Sequence, residues 1–347
     1  MTALRQLFRR RPRARHTLFS APQEATKGTI QRRRLQCSSS FSSESASSNH
    51  DQKLSQKSSG GSGGGGATAS YTIKESSDGG ATTTLRDRVK IIPLGRGVVH
   101  VLLSRPDKLN SLDVPMFEAI ADAASRLRDD GSLSRNLRAV ILSGDGRAFS
   151  TGLDARGVAL SGPSESLKRL LERPSPYGGG GGLGNLAQDV CYLWRRVRLQ
   201  IALGADMRFS TPDCRLSIME SRWGLIPDMG ASITLREIVR MDVAKELTMT
   251  GKVISGTEAE KIGLVTRCVE DPMKEAMKVA MEIVERSPDS VAAAKELFQS
   301  TWVADEGTCL TRETELQMKL IGTWNQIAAS GRQFGVNLPY FQRKRRW

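Results

Sequence analysis

The segment MESRWGLIPDMG (residues 219–230) sets two carboxylates, Glu220 and Asp228, on either side of Trp-Gly-Leu-Ile-Pro. Their separation is too long for one helical face to pair them directly. The glycine and proline among apolar residues predict a turn packed against a core. Two acids beside such a turn can take a proton from a substrate and return it. The alternative is a pair of solvated acids on a surface loop. The elements around them decide between these readings.

Upstream, VVHVLLSRP (98–106) reads as an apolar strand ending at Pro106. LDVPMFEAIADAASRLRDD (112–130) changes to helical period, with Met116, Phe117, Ile120, Ala124 and Leu127 on one face. Asp113 is its predicted cap and Pro115 lies in its first turn. LRAVILSGDG (137–146) is a second strand, closed by Gly144-Asp145-Gly146. Strand, helix and strand at this spacing predict a parallel α/β arrangement. GRAFSTGLDARG (146–157) follows, and α/β proteins place ligands on loops after parallel strands. Gly152 permits unusual backbone angles there. A helix after the loop would direct free N–H groups at an anion or carbonyl oxygen. A plain connecting turn is the other reading.

Residues 161–187 form a Gly-rich insertion, predicted to be a surface excursion in which LKRLLER makes one or two helical turns. The five glycines after Tyr177 lack the Lys-Ser/Thr of a phosphate-binding P-loop and predict mobility. QDVCYLWRRV is a predicted helix with Val190, Leu193, Trp194 and Val197 as its apolar residues. DVAKELTMTG (242–251) predicts a short helix ending near Gly251. Ser255 and Glu258 form an S-x-x-E capping box. LVTRCV (264–269) predicts a strand, and MKEAMKVAMEIVERS (273–287) a helix with Met273, Met277, Ala280 and Val284 in register as core. Further helices follow to the basic end FQRKRRW, which is an exposed tail or a phosphate contact.

The 347-residue chain has a formal net charge of +14, unevenly distributed. Residues 1–50 hold ten Arg or Lys, with only Glu24 and Glu44 as acids. This Arg- and Ser-rich, acid-poor start has the pattern of an organelle transit peptide, and a basic nucleic-acid- or lipid-binding tail is the alternative. With SQKSSGGSGGGG (55–66) it predicts a transit peptide and disordered linker over residues 1–65. Residues 66–89 read as a poorly defined lead-in, 90–287 as the core and 288–347 as a C-terminal helical oligomerisation region. The core and helical region are long enough for one sizeable domain with an appendage. No sustained basic stripe or zinc finger points to nucleic acid, and no apolar run is long enough to span a membrane. Cys37, Cys191, Cys214, Cys268 and Cys309 are widely spaced and read as free thiols. With His16, His50 and His100 the only histidines, a histidine metal centre is not expected.

Four segments, RPDKLNSL (105–112), GRAFSTGLD (146–154), LQIALGADMRFSTPD (199–213) and MESRWGLIPDMG, together resemble the crotonase superfamily, the enoyl-CoA hydratase/isomerase family. TGKVISGTEAEKIGLV (250–265) fits the same pattern, and the likeness covers most of residues 90–347. It implies an α/β fold, a crotonase-like spiral of ββα repeats with a C-terminal helical region, assembled as a homotrimer or hexamer. It implies an acyl-CoA thioester substrate and no separate cofactor, because coenzyme A is carried by the substrate. The backbone N–H of Leu153 would be an oxyanion-hole donor. Lys108, Asn110 and Leu112, with Ser150, Thr151, Gly152 and Asp154, match stretches that line the coenzyme A and acyl groove. Glu220 matches the second catalytic glutamate of the hydratases, and Asp228 matches the basic aspartate of dienoyl-CoA isomerases. The other hydratase glutamate corresponds to Gln200, which cannot act as a carboxylate acid or base. The resemblance thus implies double-bond isomerisation of an enoyl- or dienoyl-CoA in fatty-acid β-oxidation, in the mitochondrion or alternatively the plastid or peroxisome. Hydration by an enoyl-CoA hydratase, and a truncated, catalytically impaired acyl-CoA-binding or oligomerising homologue, are the alternatives.

The sequence departs from the family at WRRVRLQIALGAD (194–206). Family members carry an apolar strand and a glycine cluster of the form PVIAAIxGxxxGGG before the LQIALGAD segment. Here Val197 runs directly through Arg198 into Leu199. The absent piece would include a core parallel strand and the glycine giving the second oxyanion-hole N–H. Either the gene model or transcript has lost an in-frame piece, or the chain is a genuine variant.

Overall fold

The computed structural model divides the chain into Met1–Gly64 and Gly65–Trp347. The structure describes residues 71–75, 81–129, 131–154, 163–178, 183–197 and 202–343, all in the second unit. The transit-peptide and linker expectations therefore lie outside the described residues. So do Gln200, Arg198, four of the five glycines after Tyr177, and the helix expected directly after the GRAFSTGLD loop.

Five strands, β1 (Tyr71–Glu75), β2 (Ala81–Leu85), β3 (Val89–Pro93), β4 (Val98–Leu103) and β5 (Ala139–Gly144), form one sheet in chain order. The first four pair antiparallel, and β4 pairs parallel with β5, Val98 opposite Ala139. Between β4 and β5 run α1 (Val114–Asp129) and the short α2 (Gly131–Asn136). This is the parallel crossover expected from the sequence. The stretch before residue 90, expected as a poorly defined lead-in, instead supplies β1 and β2. Its β-branched threonines in ATTTL suit a pleated, half-buried strand, a signal masked by the short length of each run.

Strand alternation builds two cores. Val99, Val101 and Leu103 of β4 face the buried side of α1, where Met116, Phe117, Ile120, Ala124 and Leu127 all lie as the periodicity predicts. Asp113 caps this helix, accepting the Met116 N–H at 2.9 Å on Oδ1. Two more helices follow, α3 (Pro163–Leu171) and α4 (Leu186–Val197). Val190, Leu193 and Trp194 of α4 join the same core. The insertion is thus more than a surface excursion. Leu170 is buried, Arg169 pairs with Glu118 of α1, and the Tyr177 hydroxyl accepts from Arg86 at 3.4 Å.

A second cluster positions the carboxylate segment. It is built by α5 (Ala231–Ile238), α6 (Met241–Thr250) and α7 (Gly256–Lys261), with short strand pairs among β6 (Phe209–Ser210), β7 (Arg215–Leu216), β8 (Ile254–Ser255) and β9 (Arg267–Cys268). Leu235, Leu247, Ile254 and Val265 form its centre. The Ser255–Glu258 capping box is present in both directions, at 3.1 and 2.8 Å. The strand expected over 264–269 shrinks to the two residues of β9, because Leu264 and Val265 turn into the cluster instead of continuing a ladder.

The opposite face of the large sheet is covered by α8 (Pro272–Val284), whose Ala280 and Val284 pack on Val98 and Ile141. Met277 packs at the edge of this contact, whereas Met273 of the expected methionine row is exposed. The C-terminal region forms α9 (Pro288–Thr301), α10 (Glu306–Leu320) and α11 (Trp324–Gln333). These helices bury little besides Ala292, Ala293, Leu316 and Ala328, and Phe298, Trp302, Leu310, Met318 and Phe334 stay exposed. Cys191, Cys214, Cys268 and Cys309 are free thiols, as their spacing predicted. Among the described residues no helix is long and apolar enough to cross a membrane.

Candidate active site

The loop after β5 is held from beneath by the segment that follows β4. There Leu109 and Asn110 both adopt left-handed backbone angles, φ 52° and 54°. Asparagine tolerates this conformation better than most residues. It turns the Asn110 side chain inward, where it is fully buried. Its Oδ1 accepts the Arg105 N–H at 2.8 Å, and its Nδ2 donates to the carbonyls of Asp145 (2.9 Å) and Ala148 (2.7 Å). The Ser150 hydroxyl donates to the Asn110 carbonyl at 2.8 Å. Gly144 completes the bracket. A Cβ there would stand 2.4 Å from the Ala148 carbonyl oxygen and 2.7 Å from Asn110 Nδ2.

Gly152, at φ 84°, turns the chain so that Leu112 and Leu153 form an isolated parallel bridge. The Leu112 N–H donates to the Gly152 carbonyl at 2.8 Å, and the Asp154 N–H to the Leu112 carbonyl at 2.9 Å. In such a bridge the residue between the two bonded groups aims its own N–H to the other side. The Leu153 N–H is therefore directed away from Leu112, and it has no hydrogen-bond partner among the described residues. Leu153 is 44% exposed.

The residues expected to line a ligand groove separate by burial. Lys108, Thr151, Gly152 and Leu153 are exposed, and Ser150 is half-buried with its hydroxyl committed. Asn110 and Leu112 are buried, the Asn110 side chain and the Leu112 backbone holding the loop. Asp154 is engaged in an ion pair. Its carboxylate is 2.9 Å from the Arg105 guanidinium, with both side chains largely covered. Sequence reading missed Arg105. Its signal was an arginine beginning RPDKLN, followed by aspartates in both neighbouring motifs, Asp113 and Asp154.

The carboxylate segment differs from expectation. Glu220 opens a short 3₁₀ helix, Glu220–Trp223, which ends at Gly224 with φ 71°. The Leu225 N–H returns to the Glu220 carbonyl at 3.0 Å. Trp223, Leu225 and Ile226 are 72%, 60% and 79% exposed, so this turn does not pack on a core. Among the described residues nothing covers that apolar face. Glu220 is half-buried and Asp228 exposed. Neither side chain has a hydrogen-bond or ion-pair partner among the described residues, and the two do not bond each other. Both carboxylates remain available as acceptors.

A sequence profile described as Enoyl-CoA hydratase/isomerase matches residues 94–170 and 199–332. The interruption covers most of the Gly-rich insertion, α4 and the junction at Val197–Arg198. The chain is 28% identical over 218 residues to the carnitinyl-CoA dehydratase of Salmonella typhi, spanning 59% of this chain and 77% of that protein. The enoyl-CoA hydratase structure from Bacillus anthracis superposes with a TM-score of 0.61 at 22% identity, covering 73% of this chain and 98% of that one. The enoyl-CoA hydratase from Thermoplasma volcanium GSS1 gives a TM-score of 0.59 at 22% identity, over 71% and 97% of the respective chains. These structures share the crotonase fold with its helical C-terminal region. By the profile match across both the GRAFSTGLD loop and the carboxylate segment, the chain belongs to the enoyl-CoA hydratase/isomerase family.

Proposed function

We propose that this chain acts on an acyl-CoA thioester, moving the double bond of an enoyl- or dienoyl-CoA by proton transfer. The observation that carries this reading is the unpaired Leu153 N–H beside the left-handed Gly152. Removing a proton from carbon conjugated to a thioester moves the electron pair onto the carbonyl oxygen. A fixed N–H donor there stabilises the dienolate as it forms, and one such donor is worth about 3–4 kcal/mol. Asp228 takes the proton and Glu220 returns one to the far end of the conjugated system, which shifts the double bond without net change of atoms. Neither carboxylate is tied up in an ion pair among the described residues, which suits both tasks.

Hydration is the second reading, favoured by the likeness to a carnitinyl-CoA dehydratase. Against it stands Gln200 at the position of the other hydratase glutamate. The family setting also supports assembly as a trimer or hexamer through the exposed apolar surface of α9–α11. The Arg- and Ser-rich start supports delivery to the mitochondrion. The purified chain, given a 3-enoyl-CoA, a 2,5-dienoyl-CoA and a 2-trans-enoyl-CoA, is expected to convert the first two into conjugated products faster than it hydrates the third. Faster formation of a 3-hydroxyacyl-CoA would install the hydratase reading instead.

A further inference from the structure

The proposed oxyanion donor sits on a turn whose outer end is pinned by charge. Arg105 Nη1 lies 2.9 Å from Asp154 Oδ2 and 3.5 Å from Asp113 Oδ2, and donates to the Ser111 carbonyl at 3.1 Å. Asp113 is itself fixed, ion-paired to Arg88 at 3.0 Å and capping α1. Arg105, Asp113 and Asp154 are each about 15–17% exposed at the side chain, so solvent competes weakly for these contacts. Asp154 directly follows Leu153, and its N–H is the second bond of the Leu112 bridge. One guanidinium thus ties the end of the donor turn to the start of α1, the most deeply packed helix in the sheet's core.

We propose that Arg105 is a positioning residue for this reaction, holding Asp154 so that the Leu153 N–H faces the thioester oxygen. The inference rests on the acyl-CoA reading above. All of these Arg105 contacts are made by Nη1, which donates to Asp154 and the Ser111 carbonyl with the Asp113 charge 3.5 Å away. A lysine would restore the cation but on a flexible stem without the fixed guanidinium geometry. Without the tether, the Gly152 turn keeps its two backbone bonds but loses the contact that fixes its far side. A misplacement of about 1 Å near a reacting centre can cost on the order of 10²-fold in rate.

The test uses the full chain and crotonyl-CoA labelled with ¹³C at the thioester carbonyl. Infrared difference spectra report how strongly the bound carbonyl is polarised, and titration of the same samples reports affinity. In the parent the carbonyl band is expected to move to lower wavenumber on binding. Arg105→Met and the near-isosteric Asp154→Asn should each lose most of that displacement, with affinity within about threefold of the parent. Arg105→Lys should recover part of it, because a cation near Asp154 is restored. Melting of each variant identifies any that fails to fold, and Asp154→Asn, which keeps the side-chain volume, carries the test if Arg105→Met does not fold. Parental band positions in the folded variants would overturn the positioning role while leaving the acyl-CoA reading standing. A parent that binds crotonyl-CoA with no band displacement, or does not bind it, would remove that reading and this inference together.

Discussion

Asp228 is exposed and unpaired among the described residues, so its removal leaves no buried charge behind. Asp228→Asn is therefore expected to leave the melting temperature nearly unchanged. Conversion of a 3-enoyl-CoA should fall by 10²-fold or more, a typical share for a positioned base. Parental turnover in that variant would remove Asp228 from the chemistry and leave Glu220 as the sole candidate. Asn110 predicts the opposite profile. Asn110→Ala removes the donor from the part-buried Asp145 and Ala148 carbonyls, at up to about 1–3 kcal/mol for each group left unsatisfied. It also puts a residue less tolerant of positive φ at 54°. Denaturant unfolding should show a loss of several kcal/mol, and a loss below about 1 kcal/mol would mean the bracket is not what holds the loop. His100 makes a pH prediction. Its Nε2 lies 2.8 Å from the Ser143 hydroxyl, and burial lowers its pKa below the ordinary histidine value. The unfolded chain therefore binds this proton at a higher pH than the folded one. The contribution is fully present above the ordinary histidine pKa and declines as pH falls toward the lowered folded value. His100→Gln should flatten stability over that window, and an unchanged pH slope would contradict the assignment.

At the scale of elements, the parts with strong periodicity were legible. The β4–α1–β5 crossover, the Asp113 cap, the apolar face of α1 and the Ser255–Glu258 capping box all follow from spacing, because each is a local preference that the packing reinforces. β1 and β2 were not read, since two five-residue Thr-rich runs separated by polar residues carry little periodic signal. Around the GRAFSTGLD loop, the split between buried side chains that hold it and exposed ones was not legible. Burial of Asn110 and the Arg105–Asp154 pair come from tertiary contacts across 35 to 49 positions, which no window of sequence contains. The carboxylate turn was misread for a related reason. Apolar residues in a sequence predict burial only if a partner surface exists, and Trp223, Leu225 and Ile226 have none among the described residues. Supplying one is a direct experiment. Inserting a PVIAAIxGxxxGGG segment between Val197 and Leu199 should raise the melting temperature by several degrees, and turnover with it. Equal melting and equal turnover with and without the insert would show that the chain does not depend on the absent strand.

At the scale of the whole molecule, the described residues pair a well-packed sheet-and-helix core with sparsely covered apolar side chains on the carboxylate turn and on α9–α11. The proposed chemistry turns on a single backbone group, the Leu153 N–H. Leu153→Pro removes that N–H, whereas Leu153→Ala keeps it and discards only the side chain. The measurement is deuterium uptake from D₂O into the acyl carbons of a bound 3-enoyl-CoA, read by mass spectrometry for the parent and for both variants after their melting has been checked. The parent and Leu153→Ala should incorporate deuterium at comparable rates. Leu153→Pro should be slower by about 10²–10³, the loss expected for one oxyanion donor. Uptake at the parental rate in a folded Leu153→Pro protein, or no uptake by the parent, would contradict the account.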